Sequence, residues 1–165
     1  MTKFDYLDKY YQRFINDIAK NSSHKSVTVI VLNGAKGANL NLVLNDFSKI
    51  GKIHQVSKST AITESKLTKA FSNAHSNQES ILFFDEADSL FGKRTEIKDS
   101  HDRYANIETS YLLKKIKNHY GLVILASNNR QSLTRPLSSE VNVLIEFPTV
   151  FTFIRKHYRR TKKRS

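Results

Sequence analysis

The feature that most constrains this chain is an unbroken apolar run, residues 81–84, which ends in the acidic pair Asp85 and Glu86. A short run without polar residues is typical of a strand buried on both faces of a parallel sheet. The carboxyl ends of such strands form the edge at which open α/β sheets bind ligands. The sequence therefore predicts an α/β fold with both carboxylates at its binding edge.

The acidic pair fits a Walker B motif. In that motif an aspartate holds magnesium and a glutamate polarises the attacking water. Asp85 is therefore a predicted metal-binding residue and Glu86 a predicted catalytic residue. The alternative is a buried strand that ends in a solvated acidic turn, and so short a motif does not separate the two interpretations.

Residues 34–41 match a phosphate-binding loop only in part. A working P-loop reads G-x-x-x-x-G-K-[ST], and Gly34 supplies the first glycine. Asn39, Leu40 and Asn41 occupy the positions of the second glycine, the lysine and the hydroxyl residue. The pattern therefore indicates a degenerate loop.

These replacements remove chemistry from the loop. Leucine cannot supply the charge with which the lysine contacts the β- and γ-phosphates, and an asparagine amide is a poor magnesium ligand. Asn39 tolerates a left-handed backbone better than most residues. We therefore expect the loop to keep its fold and to bind ATP and magnesium weakly or not at all. Lys36 lies four residues before the lysine position, which is unfavourable for replacing the lost charge.

Together these residues resemble the AAA+ ATPases, and the resemblance covers residues 27–148. It is closest to the small ATPases found beside phage-tail-like contractile injection systems. Three stretches carry it, at residues 84–94, 101–108 and 122–128. The first and third are general to AAA+ proteins, whereas the middle one is narrower. The resemblance implies a three-layer P-loop NTPase-like fold with a central parallel sheet of about five strands.

The resemblance also implies roles for individual positions. Asp85 and Glu86 match the Walker B pair, while Gly34 and Gly37 match glycines of the phosphate loop. Asn128 matches sensor 1, the polar residue that faces the γ-phosphate. By this likeness, Glu86 and Asn128 are the expected catalytic residues.

Two parts of the family pattern are missing. Before the last strand the family usually carries two arginines, at least one of which acts as a finger on the neighbouring subunit's nucleotide. Those positions hold Ser139 and Glu140, and Arg135, four residues upstream of Ser139, is a candidate for a displaced finger. Only 17 residues follow Pro148, so the C-terminal lid domain is expected to be absent. Loss of the lysine and the finger removes two large electrostatic contributions to catalysis.

Alternating strand and helix patterns predict the organisation of the chain, and such alternation demands a parallel sheet with right-handed crossovers. Strands are expected at residues 27–33, 53–56, 81–85, 122–126 and 143–147. Helices are expected at residues 3–20, from the degenerate loop to Ile50, at 63–75 and around 107–116. The expected domains are an N-terminal amphipathic helix with its linker at 1–24, an α/β core at 25–154 and a basic tail at 155–165.

The formal charge of +12 is unevenly distributed. Seven basic residues lie among the last eleven, namely Arg155, Lys156, Arg159, Arg160, Lys162, Lys163 and Arg164. Such a tail suits weak, non-specific contact with a polyanion such as nucleic acid. A solvated tail that only aids solubility is the alternative.

The remaining composition excludes several classes of protein. The chain has no cysteine, which excludes disulfides and thiolate metal sites, and its six histidines show no metal-ligand spacing. The apolar runs are too short to span a membrane, and no signal peptide opens the chain. A cytoplasmic location is therefore expected.

Three functional hypotheses remain. The first is a degenerate AAA+ subunit that acts as a scaffold or regulator, partnered with an AAA+ paralogue or with further copies of itself. The second is a slow but active ATPase that works through Asp85, Glu86 and Asn128. The third is a nucleic-acid-binding module that uses the basic tail. Leu40 at the lysine position favours the first.

Overall fold

A computed structural model of the protein describes residues 1–20, 27–56, 63–75, 80–91, 109–127, 137 and 139–147. The strands are β1 (Thr2–Asp5), β2 (Val27–Asn33), β3 (Lys52–Val56), β4 (Ser80–Phe84), β5 (Gly121–Ser127) and β6 (Val141–Glu146). The helices are α1 (Lys9–Lys20), α2 (Gly37–Ser48), α3 (Glu64–His75), α4 (Asp88–Phe91) and α5 (Thr109–Lys117).

One parallel sheet contains all six strands, in the order β1-β6-β2-β5-β4-β3. Every residue of β4 and β5 is buried, as expected for strands that are covered on both faces. The apolar run at residues 81–84 thus lies inside the sheet, between β5 and β3. The predicted α/β fold with a central parallel sheet is confirmed, and the sheet has one strand more than the expected five.

Two apolar clusters lie on opposite faces of the sheet and make the fold three-layered. On one face α3 and α5 contribute Leu67, Phe71, Ala74, Leu112 and Ile116. On the other face α1 and α2 contribute Tyr11, Ile15, Ile18, Val43 and Phe47. In each helix these positions recur at helical spacing, so a single apolar stripe faces the sheet. No helix in the described ranges is both long enough and apolar enough to cross a lipid bilayer.

The N-terminal segment differs from the helix expected over residues 3–20. Thr2–Asp5 forms β1, which pairs with β6, and α1 begins only at Lys9. The Asp5 carboxylate accepts a hydrogen bond from the Leu7 N–H at 3.1 Å, and the Asp8 carboxylate accepts one from the Tyr10 N–H at 3.3 Å. Side-chain bonds of this kind stabilise turns and helix starts, which separates the strand from the helix.

The other boundaries lie close to those expected, with two differences of substance. The short helix α4 follows the acidic pair, where the sequence indicated no helix. Helix α2 begins at Gly37, inside the segment expected to form the phosphate loop. The linker at 21–24 lies outside the described residues, and so do residues 148–165, which include the basic tail.

Candidate functional site

The carboxyl ends of β2, β5 and β4 are joined by hydrogen bonds at one edge of the sheet. The N–H of Gly34, just after β2, donates to the carbonyl of Ser127 at 2.8 Å. The N–H of Ala87, three residues after β4, donates to the carbonyl of Ala126 at 2.8 Å. Both bonds end on the last two residues of β5, so the loop after β2 and the acidic turn after β4 are attached to the same strand.

The acidic turn has an unusual backbone. Glu86 has a φ of 50° and is the only non-glycine residue with positive φ in the part of the chain that the structure describes. Its N–H donates to the Oδ1 atom of Asp85 at 2.9 Å. Non-glycine residues in this conformation cost free energy, and they cluster at functional sites. Both side chains are partly buried, so the turn presents two constrained carboxylates at the edge.

A further hydrogen bond ties the acidic turn to β5. The Oγ atom of Ser127 donates to the Oδ1 atom of Asp88 at 2.5 Å, and Ser127 is only 2% exposed. Bonds from a hydroxyl to an ionised carboxylate are short and strong. Neither residue was among the site residues expected from the sequence. Asp88 does stand at the start of α4, where an acidic side chain favours a helix.

The segment after β2 is shorter than a phosphate-binding loop. Gly34 and Gly37 have φ values of 80° and 51°, which glycine adopts without strain. Helix α2 starts at Gly37 and is preceded by an extended Lys36 whose side chain makes no capping hydrogen bond. Only residues 34–36 are therefore irregular, and the later positions of the motif lie within the first turns of the helix.

Leu40 stands at the position of the P-loop lysine and packs against the apolar cluster that contains α1 and α2. Val43 and Phe47 are fully buried in the same cluster, and Leu44 packs against it. These four positions are spaced three and four residues apart and form the apolar stripe of α2. Leu40 is thus part of the helix–sheet packing. That spacing was visible in the sequence and could have identified this role.

Most of the remaining positions among residues 34–41 are exposed, although Ala35 is buried. Asn39 and Asn41 are exposed, as are Lys36 and Gly37. The N–H of Asn39 donates to the carbonyl of Lys36 at 3.2 Å, so it belongs to the first turn of the helix. A β-carbon added at Gly37 would meet no atom within 4 Å. The space next to Gly37, at the start of α2, is therefore open. Among residues 34–41, Lys36 is the one side chain that carries a positive charge.

Glu140, at one of the two positions expected for the family's arginines, forms an intramolecular ion pair. Glu140 lies 3.1 Å from the Nζ atom of Lys117, and it also accepts a hydrogen bond from the Ser139 hydroxyl at 2.8 Å. The bond from Ser139, followed by the bond and charge of Lys117, lowers the pKa of Glu140 despite its partial burial. A carboxylate held in this way cannot act as a cationic finger.

Two predicted site residues lie outside the described residues, namely Asn128 and the alternative finger Arg135. The stretch at 101–108, which carried the narrower part of the resemblance, lies there as well. Of the predicted site residues that the structure does describe, Gly34, Asp85 and Glu86 lie at the same edge of the sheet.

The donor set at this edge fits ATP and magnesium only in part. Asp85 and Glu86 offer carboxylate oxygens, which magnesium prefers. The position expected for the lysine holds Leu40, which has no ammonium group. The position expected for the hydroxyl residue that binds magnesium holds Asn41, which has no hydroxyl. Within the described ranges, no group of three or more histidine, cysteine, aspartate or glutamate side chains is arranged to hold a metal ion.

Comparison with known proteins agrees with the architecture. A profile of the family described as "ATPase family associated with various cellular activities (AAA)" matches residues 15–149. The "ATPase family gene 2 protein" of Schizosaccharomyces pombe is 36% identical over 98 residues, which cover 56% of this chain and 12% of that protein. The similarity thus spans only a small part of that relative's length.

Proposed function

The chain belongs to the AAA family of ATPases, and from this premise we propose that it is a degenerate member with weak or no ATP hydrolysis. Domains of the family generally bind ATP with magnesium and commonly oligomerise. This protein would act as a scaffold or as a regulatory subunit of a larger assembly. Its partner would be an intact AAA paralogue or further copies of the same chain.

The observation that carries this proposal is the packing of Leu40. A lysine at this position of a P-loop directs an ammonium group to the β- and γ-phosphates. Leu40 instead belongs to the apolar stripe of α2, together with Val43 and Phe47. The site therefore lacks its main phosphate-binding cation, and the residue that replaces it stabilises the helix against the sheet.

Two further features support the same conclusion. Glu140 is paired with Lys117, so the position expected for an arginine finger carries a neutralised carboxylate. The edge also holds the carboxylates of Asp85, Glu86 and Asp88, and Lys36 is the one cation of residues 34–41. Residues 34–41 therefore offer the phosphates of a nucleotide one cation, four residues before the position expected for the P-loop lysine.

The test is an ATPase assay on the purified chain, with Glu86→Gln as the control. We expect no magnesium-dependent turnover above the level of that variant, because the clamp on the transferred phosphate is missing. Turnover over many cycles that is abolished by Glu86→Gln would refute the proposal. The same assay after addition of an intact AAA paralogue tests the regulatory role, since a regulator changes the rate of its partner.

The alternative is a slow but active ATPase. It is favoured by the constrained acidic turn, because both carboxylates lie at the carboxyl end of a buried strand, beside the loop that contains Gly34. In this case Asp85 would hold magnesium and Glu86 would orient water, with Asn128 as sensor. The Glu86→Gln comparison separates this alternative from the main proposal.

A third possibility is that the basic tail binds nucleic acid. It rests on the seven basic residues among the last eleven of the sequence. Binding of this kind would be weak, would depend little on base sequence and would fall steeply with salt.

A further inference from the structure

The helices on the two faces of the sheet differ in charge. α3 and α5 together carry five lysines and one glutamate, a net charge of +4. α1 and α2 carry three basic and two acidic residues, a net charge of +1. The outer surface of the α3–α5 layer is thus a positively charged face, and it lies in a part of the molecule remote in sequence from the basic tail.

Three of these lysines lie within one helical turn, along the sequence, of the residues through which α3 touches α5. The hydroxyls of Thr68 on α3 and Tyr111 on α5 are 2.6 Å apart, which fixes where the two helices touch. Lys69 follows Thr68 directly and is exposed. Lys115 lies one turn after Tyr111, with its Nζ atom 5.4 Å from the centre of that ring, and Lys114 beside it is exposed. We call Lys69, Lys114 and Lys115 the lysine seam.

In the described part of the chain, no carboxylate forms an ion pair with a lysine of the seam. Within the ranges that the structure describes, Lys69 and Lys114 make no ion pair, while Lys117 on the same layer is paired with Glu140. Lysines in the last turn of α5 stabilise that helix through its dipole. Lys69 lies in the middle of α3, so the helix dipole does not explain its position. The seam therefore offers cations that are available to an outside anion.

An exposed aromatic ring lies just beyond the same helix. Tyr120 follows α5 by three residues and is 59% exposed, whereas large apolar side chains on this layer are mostly buried. The residue before it, His119, contacts Phe71 of α3, with ring centres 5.2 Å apart. The chain at 119–120 is thus held against α3, at the end of the layer that carries the seam.

We propose that the lysine seam and Tyr120 form a binding surface for single-stranded nucleic acid. The lysines would contact successive phosphates, and the exposed ring would stack on a base. Basic side chains that follow a backbone, combined with aromatic rings for bases, are the general means of binding single strands without sequence preference. DNA and RNA share this chemistry. The surface is independent of nucleotide binding at the edge of the sheet and of the basic tail.

The test compares two triple variants of the full chain that remove the same charge. Lys69→Gln, Lys114→Gln and Lys115→Gln together remove the seam. Lys9→Gln, Arg13→Gln and Lys20→Gln together remove three exposed cations from α1 on the opposite face, where Lys9 lies over the Tyr10 ring as Lys115 lies over Tyr111. Binding of fluorescent oligothymidine and oligouridine is measured by anisotropy at several salt concentrations.

We expect the seam variant to bind more weakly and the α1 variant to bind almost as the unaltered chain does. Loss of three phosphate contacts should lower the slope of log affinity against log salt by about 2, since each contact on a single strand contributes about 0.7. Equal losses in the two variants would overturn the proposal, because net charge alone would then explain binding. Absence of binding by the unaltered chain at low salt would overturn it as well.

The stacking role of Tyr120 is tested by Tyr120→Leu and Tyr120→Phe. Stacking of one base contributes about 1–3 kcal/mol, so Tyr120→Leu should weaken binding between about 5-fold and 150-fold. Tyr120→Phe keeps the ring and should restore most of the affinity. Unchanged affinity in Tyr120→Leu would refute this part. Equal binding of double-stranded DNA, or seam-dependent binding of polyglutamate, would refute the choice of partner and indicate another polyanion.

Discussion

The left-handed backbone of Glu86 predicts that a glycine at this position stabilises the protein. A side chain with a β-carbon costs roughly 1–2 kcal/mol at such a φ angle, which is 50° here. Glycine removes that cost. It also lowers the free energy of unfolding by roughly 0.5–1 kcal/mol, because the unfolded chain has more conformational freedom at a glycine. The midpoints of these two ranges differ by about 0.75 kcal/mol, which is the gain in the free energy of unfolding expected for Glu86→Gly.

The matched control is Glu86→Ala. It removes the carboxylate, as glycine does, but keeps the β-carbon and hence the strain. The difference between the glycine and alanine variants therefore isolates the backbone contribution from any relief of repulsion among the carboxylates of the turn. We expect the glycine variant to be the more stable of the two by about 0.75 kcal/mol.

The measurement is urea unfolding followed by circular dichroism, with thermal unfolding as a second assay. A change of 1 kcal/mol corresponds to about 2–4 °C in Tm for a chain of this size. The slope of free energy against urea should stay constant across the variants, which shows that compactness is unchanged. A glycine variant no more stable than the alanine variant would refute the reasoning. It would mean that Glu86 is not held in the left-handed region in solution.

Three further predictions follow from the same edge and from the tail. Restoring the motif with Asn39→Gly, Leu40→Lys and Asn41→Thr should yield ATP binding measurable by calorimetry, and no recovery would mean that residues 34–36 do not form a phosphate-binding shape. Asp85→Asn should leave Tm unchanged or slightly raised, because an amide oxygen can still accept the Glu86 N–H while one of several like charges disappears; a marked loss would indicate a structural ion pair. Deleting residues 155–165 should remove any weak binding to nucleic acid that the tail provides and leave Tm unchanged, whereas binding that survives the deletion must come from another surface.

The position of the acidic pair was predictable because it depends on one strong local pattern. An uninterrupted apolar run of strand length is typical of a strand with both faces covered, and a parallel sheet then places the following residues at the binding edge. Asp85 and Glu86 lie there. The conformation of the Glu86 backbone could not be predicted, since it depends on the hydrogen bonds that hold the turn to β5.

The N-terminal strand could not be recognised for a different reason. Phe4, Leu7, Tyr11, Phe14 and Ile18 recur at helical spacing, which indicated one continuous helix. In the structure, Phe4 belongs to β1 and reaches Phe14 on α1 across the turn, with ring centres 5.0 Å apart. Leu7, which the pattern placed on the buried face, is 52% exposed. Pairing with a distant strand overrode the local pattern.

The start of α2 was also misjudged, and here the motif itself was the cause. Comparison with the P-loop pattern led to the expectation that residues 34–41 form a loop. Gly37 and the spacing of Leu40, Val43 and Phe47 instead allow the helix to begin earlier. Because residue 40 is a leucine, its side chain can join the apolar stripe of the helix, as in an ordinary strand-to-helix connection.

The pairing of β1 with β6 has a consequence for how this protein is made. Thr2–Asp5 are hydrogen-bonded in the finished sheet to Val143–Glu146, which are synthesised more than 130 residues later. Tyr6 likewise donates its N–H to the carbonyl of Glu146, and its ring stacks on Phe147 with centres 4.8 Å apart. The N-terminal strand therefore has no place to dock until translation has passed residue 147. Contacts of such large sequence separation are slow to form, so this edge of the sheet is expected to close late in folding.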